Sequence, residues 1–183
     1  MIKKITTIPD CLLPYCPVDP KLNSPAWLTP QPIRLYKLHK GGALTLTEVR
    51  WRDMLGRYWT CPRGFFTDGA SVPWLLRWLW DNYDEKTIRP AIIHDLRYAL
   101  HDYFVAWHQI DTRKAADQDL FYGMRLDCPS RAGIYRFAVS MFGRAVYERI
   151  NKEPIMLEWF DVIQQSEQVM DAWIQGVIIA DAA

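Results

Sequence analysis

Hydrophobic and polar residues alternate one by one along the first half of the chain, after a proline-rich start. The alternating segments are 33–38, 44–51 and 57–60, and glycines at 41, 42 and 56 fall between them. Such alternation bounded by glycine is typical of strands joined by tight turns, so we expect a small antiparallel sheet. Leu44 and Leu46 share one face while Val49 and Trp51 share the other, which predicts a bulge or a two-sided strand.

Beyond residue 70 the apolar positions recur every three or four residues, which is typical of helices. The predicted helices cover about 71–80, 86–103, 112–126, 130–150 and 155–179. Ser71 suits the N-cap of the first helix and Pro73 suits its first turn. Strands that precede helices, instead of alternating with them, indicate an α+β fold, with a small antiparallel sheet followed by a bundle of four to five helices.

Seven prolines between residues 8 and 32 exclude a helix or a central strand there. We therefore predict an extended proline-rich arm over 1–32, an α+β domain over 33–150 and a C-terminal helical segment over 151–183. The arm could wrap its own domain or pack on a neighbouring subunit. The C-terminal segment could likewise pack on its own domain or on a partner.

Composition narrows the classes of function. A net charge of +1 implies no broad basic surface, so nucleic acid is not an expected partner. The sequence contains no run of about 18 apolar residues, so no membrane span is expected. The first residues also lack the apolar core of a signal peptide. The four cysteines form no C-x-x-C pair, which argues against a zinc site made of thiolates.

Candidate chemistry lies on two of the predicted helices. His94 and Tyr98 are four residues apart and therefore adjacent on one face, with Asp95 beside them, and this polar stripe lies opposite the apolar side of its helix. Arg113 and Asp117 are also four apart, but they fall inside the apolar stripe of the next helix. Since a buried charge needs a partner, these two either pair with each other or face the His94 stripe across a seam between the helices.

A third candidate part of the polar site is the turn Thr67-Asp68-Gly69-Ala70-Ser71. Asp68 and Ser71 come just before a predicted helix, and the free N–H groups at a helix N-terminus favour an anion. Capping explains Ser71, but it explains Asp68 less well, because one cap needs only one oxygen acceptor.

Three kinds of chemistry fit these residue types. His94, Asp95 and Asp68 could bind a divalent metal that activates water. Alternatively, His94 could act as a general base oriented by a carboxylate, with Tyr98 in support. A triad of Ser71, His94 and an aspartate ranks last, because no G-x-S-x-G motif is present.

The blocks F-x-T-D-x-A-S-x-P, A-x-x-H-D-x-x-Y and R-x-x-A-D-x-x-x-F occur here in that order, at 65–73, 91–98 and 113–121. Over roughly residues 40–145 the chain resembles an uncharacterised family of small proteins of bacteriophages and prophages. The resemblance implies a component of the virion or its tail. The expected partners are other phage structural proteins or further copies of the chain, and the expected location is the host cytoplasm during assembly and then the virion.

The string His94-Asp95-x-x-Tyr98 is also similar to the catalytic helix of secreted phospholipases A2. The chain departs from that family because no disulfide cysteines and no glycine-rich calcium loop accompany the histidine. The similarity is therefore confined to the helix string.

Two functions are expected from these observations. The first is a phage structural or tail-assembly component with a buried polar site. The alternative is a hydrolase, metal-assisted or His/Asp-dependent, that acts on an envelope polymer or lipid during infection. In the hydrolase, His94 would be base or ligand, Asp95 and Asp68 would be ligands or orienting groups, and Asp117 would hold His94 or Arg113. Arg113 would hold an anionic intermediate.

Overall fold

The strand-rich half of the chain folds into two small antiparallel sheets. A computed structural model describes residues 24–69, 81–100, 113–147, 154–163 and 165–182. Its strands are β1 (Ala26–Trp27), β2 (Leu35–Lys37), β3 (Ala43–Thr45), β4 (Val49–Arg52), β5 (Tyr58–Cys61) and β6 (Phe66–Thr67). One sheet has the order β1-β4-β5 and the other has the order β2-β3-β6, and all of their pairs are antiparallel.

The segment 44–51, predicted as one strand, is divided between the two sheets. Strand β3 pairs with β2 and β6, whereas β4 pairs with β1 and β5. The change of phase between Leu44 and Val49 marks this division, because the buried sides of β3 and β4 belong to different sheets. The segment was expected to be one strand with a bulge or two faces, and it is instead two strands in two sheets, whereas the α+β class with small antiparallel sheets followed by helices is confirmed.

The described end of the proline-rich arm packs on its own domain. Strand β1 pairs with β4, and the rings of Trp27 and Trp51 lie 4.5 Å apart. The guanidinium of Arg89 donates a hydrogen bond of 2.7 Å to the carbonyl of Thr29. For residues 24–32, therefore, the wrapping alternative holds. The rest of the arm lies outside the described residues.

The second half is helical. The helices are α1 (Glu85–Ala99), α2 (Arg113–Asp127), α3 (Pro129–Tyr147), α4 (Pro154–Val162) and α5 (Glu167–Ala182). The predicted helix over 71–80 lies outside the described residues. No described helix is long and apolar enough to cross a membrane.

The C-terminal segment forms two helices rather than the one predicted. The Ser166 hydroxyl accepts from the Val169 N–H at 3.4 Å, as an N-cap does, so α5 has its own start. Trp159 on α4 is fully buried, and its ring nitrogen donates to the Arg63 carbonyl at 3.2 Å. Together with Met170 and Ile174, it belongs to the main core, so this segment packs on its own domain.

Helix α1 is the centre of the fold. The carboxylate of Asp84 caps its start by accepting from the Lys86 N–H at 2.9 Å. Every residue from 87 to 100 is buried, because α1 packs on strands β4, β5 and β6 and on helix α2. Pro90 lies in the second turn, beyond the first turn where proline is best tolerated. The polar stripe of α1 is therefore buried as well.

A fully buried arginine joins α1 to α2 and to one of the sheets. Arg97 donates to Asp119, and its guanidinium lies 4.4 Å from the centre of the Trp59 ring. The Trp59 ring nitrogen and Arg57 both donate to the Asp53 carboxylate. Burial raises the pKa of Asp119 to about 6, although the charge of Arg97 opposes that rise and Asp53 adds to it.

Replacing Arg97 with methionine keeps its bulk but leaves Asp119 without its charged partner. We expect Arg97→Met to lower the free energy of unfolding by about 3–5 kcal/mol, measured by urea denaturation. The control is Arg63→Met, because Arg63 forms solvent-exposed pairs with Glu167 and Asp171. That change should cost no more than about 1 kcal/mol. Equal losses in the two variants would contradict a structural role for the buried pair.

Candidate functional site

The site lies where α1 meets α2, and one carboxylate on α2 connects it. His94 Nε2 lies 3.1 Å from Asp117 Oδ1, and the Tyr98 hydroxyl donates to the same oxygen. Because His94 and Tyr98 are one helical turn apart, a single carboxylate facing α1 can reach both. As a carboxylate, Asp117 can only accept, so we assign the donating N–H to Nε2.

A second carboxylate lies at the other nitrogen of the imidazole. His94 Nδ1 is 3.6 Å from Asp95 Oδ1, which is longer than a hydrogen bond. The Thr67 hydroxyl donates to Asp95 Oδ2 at 2.5 Å and accepts from the Gly69 N–H at 3.0 Å. Because Thr67 has one hydroxyl hydrogen and gives it to Oδ2, any proton on Asp95 belongs on Oδ1, the oxygen that faces His94.

Arg113 and Gly143 complete the site on the side of α3. Arg113 lies 3.4 Å from Asp117 Oδ2 and donates to the Val139 carbonyl at 3.3 Å. A Cβ atom at Gly143 would lie 2.7 Å from the Tyr98 hydroxyl oxygen and 3.3 Å from the Arg113 guanidinium. The absence of a side chain at 143 therefore allows α3 to cross close above the tyrosine and the arginine.

Exposure rises from one end of the site to the other. The side chains of Asp95 and His94 are 5% and 8% exposed, whereas those of Asp117 and Arg113 are 15% and 29% exposed. Among these four residues, water therefore reaches the site mainly at Asp117 and Arg113.

Two opposing effects act on the protonation of His94. Burial disfavours the charged imidazolium, but the contacts with Asp117 and Asp95 outweigh it and raise the pKa of His94 above 6.5. For Asp95, burial and then the negative charge of Asp68 raise the pKa to about 7, against the opposing effects of His94 and Thr67. A carboxyl that titrates near neutral pH thus faces an imidazole whose pKa is raised, and perturbed pairs of this kind are typical of acid–base sites.

The structure assembles most of the predicted residues but not all of them in the predicted way. Asp117 faces both Arg113 and His94, so the two alternatives for it occur together. Asp68 is half-buried and acts on Asp95 through its charge. Ser71 lies outside the described residues, so the triad that includes it stays a prediction.

The predicted metal ligands His94, Asp95 and Asp68 are not arranged as a metal site. Within the described ranges, no group of three or more His, Cys, Asp or Glu side chains is placed to hold a metal ion. One nitrogen of the imidazole and one oxygen of Asp95 already have partners within the protein, since Nε2 bonds to Asp117 and Oδ2 accepts from Thr67. The function proposed for this site therefore does not use these three residues as metal ligands.

Thr67 and Gly143 belong to the site, but the sequence pattern did not identify them as site residues. Thr67 lies in the predicted turn, but only the register of β6 shows that its hydroxyl faces Asp95. Gly143 has no side chain, so its place in a helix crossing could not be read without the neighbouring helix.

Residues 44–135 match the model of a family described as Protein of unknown function (DUF1353), and this is half of the chain. The chain belongs to this family. The matched part of this DUF1353 protein runs from β3 into α3 and contains the residues around the imidazole, whereas Gly143 lies beyond it. No curated protein and no solved structure matches the chain.

In this DUF1353 protein, Asp117→Asn keeps the shape of the side chain but removes its charge. Because the Asp117 contact raises the pKa of His94, we expect that pKa to fall by about one unit or more in an NMR titration of the imidazole. The control Asp171→Asn removes a carboxylate that is paired with Arg63 on the surface. An unchanged pKa of His94 in Asp117→Asn would show that the contact is not made in solution.

Stability should depend on pH through Asp95. Its pKa is higher in the folded protein than the ordinary 3.8, so the folded state binds this proton more tightly. The contribution of Asp95 to the free energy of unfolding therefore falls as pH rises from about 4 to about 7, by at most about 1.4 kcal/mol per pH unit. His94 acts in the same direction, because its pKa is also raised and its contribution is lost as pH rises through the folded-state pKa.

We expect Asp95→Asn to gain stability relative to wild type as pH rises over this range, measured by urea denaturation at several pH values. Asp84→Asn is the control, and its difference from wild type should stay constant between about pH 4 and pH 7, because the charge of Asp84 is lost only at lower pH. Despite the opposing effect of burial, hydrogen bonds from the Lys86 N–H and Arg131 lower the pKa of Asp84, so its contribution is lost as pH falls. A constant difference between Asp95→Asn and wild type across the range would contradict a raised pKa of Asp95.

Proposed function

We propose that this protein is a His/Asp-dependent hydrolase in which His94 is the general base. The observation that carries the proposal is the double contact at Asp117, which accepts from both His94 Nε2 and the Tyr98 hydroxyl. That contact sets the tautomer and the orientation of the imidazole and directs Nδ1 away from Asp117. An oriented imidazole with one nitrogen left for proton transfer is the arrangement that general base catalysis requires.

In the proposed reaction, Nδ1 of neutral His94 takes a proton from a water molecule while the water oxygen forms a bond to an ester or amide carbonyl carbon. The carbonyl electrons move to oxygen and give a tetrahedral anion. When that anion collapses, the bond to the leaving group breaks, and the proton on Nδ1 passes to the leaving oxygen or nitrogen. Asp117 stabilises the imidazolium that forms between the two steps, and Asp95 lies beside the proton that moves.

Arg113 would stabilise the anionic intermediate in this proposal. It is the most exposed of the charged groups around the imidazole, and it already lies 3.4 Å from Asp117. A cation at the open end of the site suits a substrate that carries negative charge near the bond to be cleaved.

The substrate proposed from the sequence resemblances is an envelope polymer or a membrane lipid that is attacked during infection. The resemblance to phage proteins supports the biological setting, and the similarity of the His94 helix to that of secreted phospholipases A2 supports an ester substrate. The open end at Arg113 is compatible with both.

The experiment measures hydrolysis of phospholipid vesicles and of purified peptidoglycan by the full chain and by His94→Gln. We expect the variant to lose activity by about 10²- to 10⁴-fold, because general base catalysis contributes that much. The rate for the wild type should rise with pH through the pKa of His94, since only the neutral imidazole can accept the proton. Circular dichroism would confirm that the variant is folded.

The matched control is His39→Gln. His39 is exposed, lies outside the site and bonds to Asp181 on α5. It should retain wild-type activity. If His94→Gln is folded and hydrolyses a substrate as fast as the wild type does, His94 is not the base.

A second proposal is a bacteriophage structural or tail-assembly component in which the same site only stabilises the fold. The low exposure of His94 and Asp95 favours this role, because both side chains are almost inaccessible and hold contacts within the protein. Introducing His94→Gln and Asp117→Asn into a phage would separate the proposals. Normal particles that fail to infect support chemistry, and failure to form particles supports the structural role.

A further inference from the structure

Helix α3 exposes apolar side chains on the face that points away from the protein. Phe137 is 65% exposed and Met141 is 61% exposed, and Ile134 lies on the same side. Positions 134, 137 and 141 follow helical spacing, so these three residues form one continuous stripe, which we call the α3 stripe. Exposed apolar residues that share a face mark an interaction site more often than scattered ones do.

The charges of α3 all have one sign. The helix contains Arg131, Arg136 and Arg144 and neither Asp nor Glu. Arg131 is paired with Asp84 at 2.6 Å, whereas Arg136 is exposed beside the ring of Phe121. By contrast, α5 also exposes Ile179 but contains Glu167, Asp171 and Asp181. An apolar stripe in a helix whose only charges are arginines is typical of helices that lie in the surface of an anionic membrane.

The opposite side of α3 covers the site around His94. The Val139 carbonyl accepts from Arg113, and Gly143 lies against the Tyr98 hydroxyl oxygen. A surface that binds the α3 stripe would therefore lie about one helix diameter, roughly 10 Å, from Arg113 and Asp117. The stripe and the more exposed end of the site thus belong to the same part of the molecule.

We propose that α3 docks on an anionic lipid bilayer, with the α3 stripe inserted between the headgroups and the exposed Arg136 paired with lipid phosphates. The identity of the substrate as a membrane lipid rests on the hydrolase proposed above, but the docking itself does not. The helix lies in the surface rather than across it, since no described helix is long and apolar enough to span a bilayer.

Charge favours a lipid surface over a second copy of the chain as the occupant. In a two-fold dimer the same patch meets itself, so α3 would face another α3, and that helix offers no acidic residue to pair with Arg136. An anionic bilayer provides both an apolar layer for the stripe and phosphates for Arg136.

The test is co-flotation of the full chain with vesicles of phosphatidylcholine alone or of phosphatidylcholine mixed with phosphatidylglycerol. We expect at least about tenfold tighter binding to the anionic vesicles. The double variant Phe137→Ser/Met141→Ser should lose binding about tenfold or more, because each side chain contributes burial of apolar surface. The matched control is Leu55→Ser/Ile179→Ser, which removes two equally exposed apolar side chains elsewhere and should bind as the wild type does.

Several results would overturn the docking proposal. These are no binding to either kind of vesicle, equal binding by the stripe variant and the wild type, or equal loss in the control variant. A wild type that dimerises through the stripe and does not float would assign the face to a second copy.

His94→Gln separates the two proposals. It should float like the wild type, since it does not alter α3. If the wild type floats but hydrolyses neither lipid nor peptidoglycan, the docking stands and the hydrolase does not. If the wild type hydrolyses a dispersed ester but does not float, the hydrolase stands and the docking does not.

Discussion

Helix α1 has no side that faces water, and this constraint determines the surroundings of every polar group it carries. A buried charge or hydrogen-bonding group is costly unless the protein itself supplies a partner. Three of these partners lie on two elements: Asp117 and Asp119 on α2, and Thr67 at the end of β6. The packing of the sheets and of α2 around α1 is therefore tied to polar contacts as well as to apolar surface.

These polar contacts differ in character along the helix. Arg97 and Asp119 form a buried ion pair whose groups carry opposite charge, which is a stable arrangement once it is complete. Around His94, two carboxylates lie at one imidazole whose pKa is raised, and the pKa of Asp95 rises to about 7. Burial also raises the pKa of Asp119 to about 6, but only the arrangement around His94 includes an imidazole as a second group that titrates, and it continues to the more exposed Arg113.

Helical spacing predicted the pairs at the centre of the site and offered the contact of Asp117 with the His94 stripe as one alternative, whereas other contacts between elements could not be predicted. The pairs His94/Tyr98 and Arg113/Asp117 are each four residues apart, and this spacing alone makes them neighbours. Asp119 is different, because its bond to Arg97 depends on how α1 and α2 cross, and a local pattern carries no information on that angle. The segment 44–51 looked like one strand for the same reason. Distant segments of the chain decide which sheet each half joins, and a local pattern does not include them.

The contact between Gly143 and Tyr98 links two positions that are 45 residues apart in the chain. A methyl group at 143 would need the space that the phenol oxygen occupies, so the size allowed at one position depends on the residue at the other. Related sequences that carry alanine or serine at the first position should accordingly carry a shorter or non-hydroxylated residue at the second. The two positions should thus change together during evolution, and an aligned set of relatives would reveal the helix crossing without a structure.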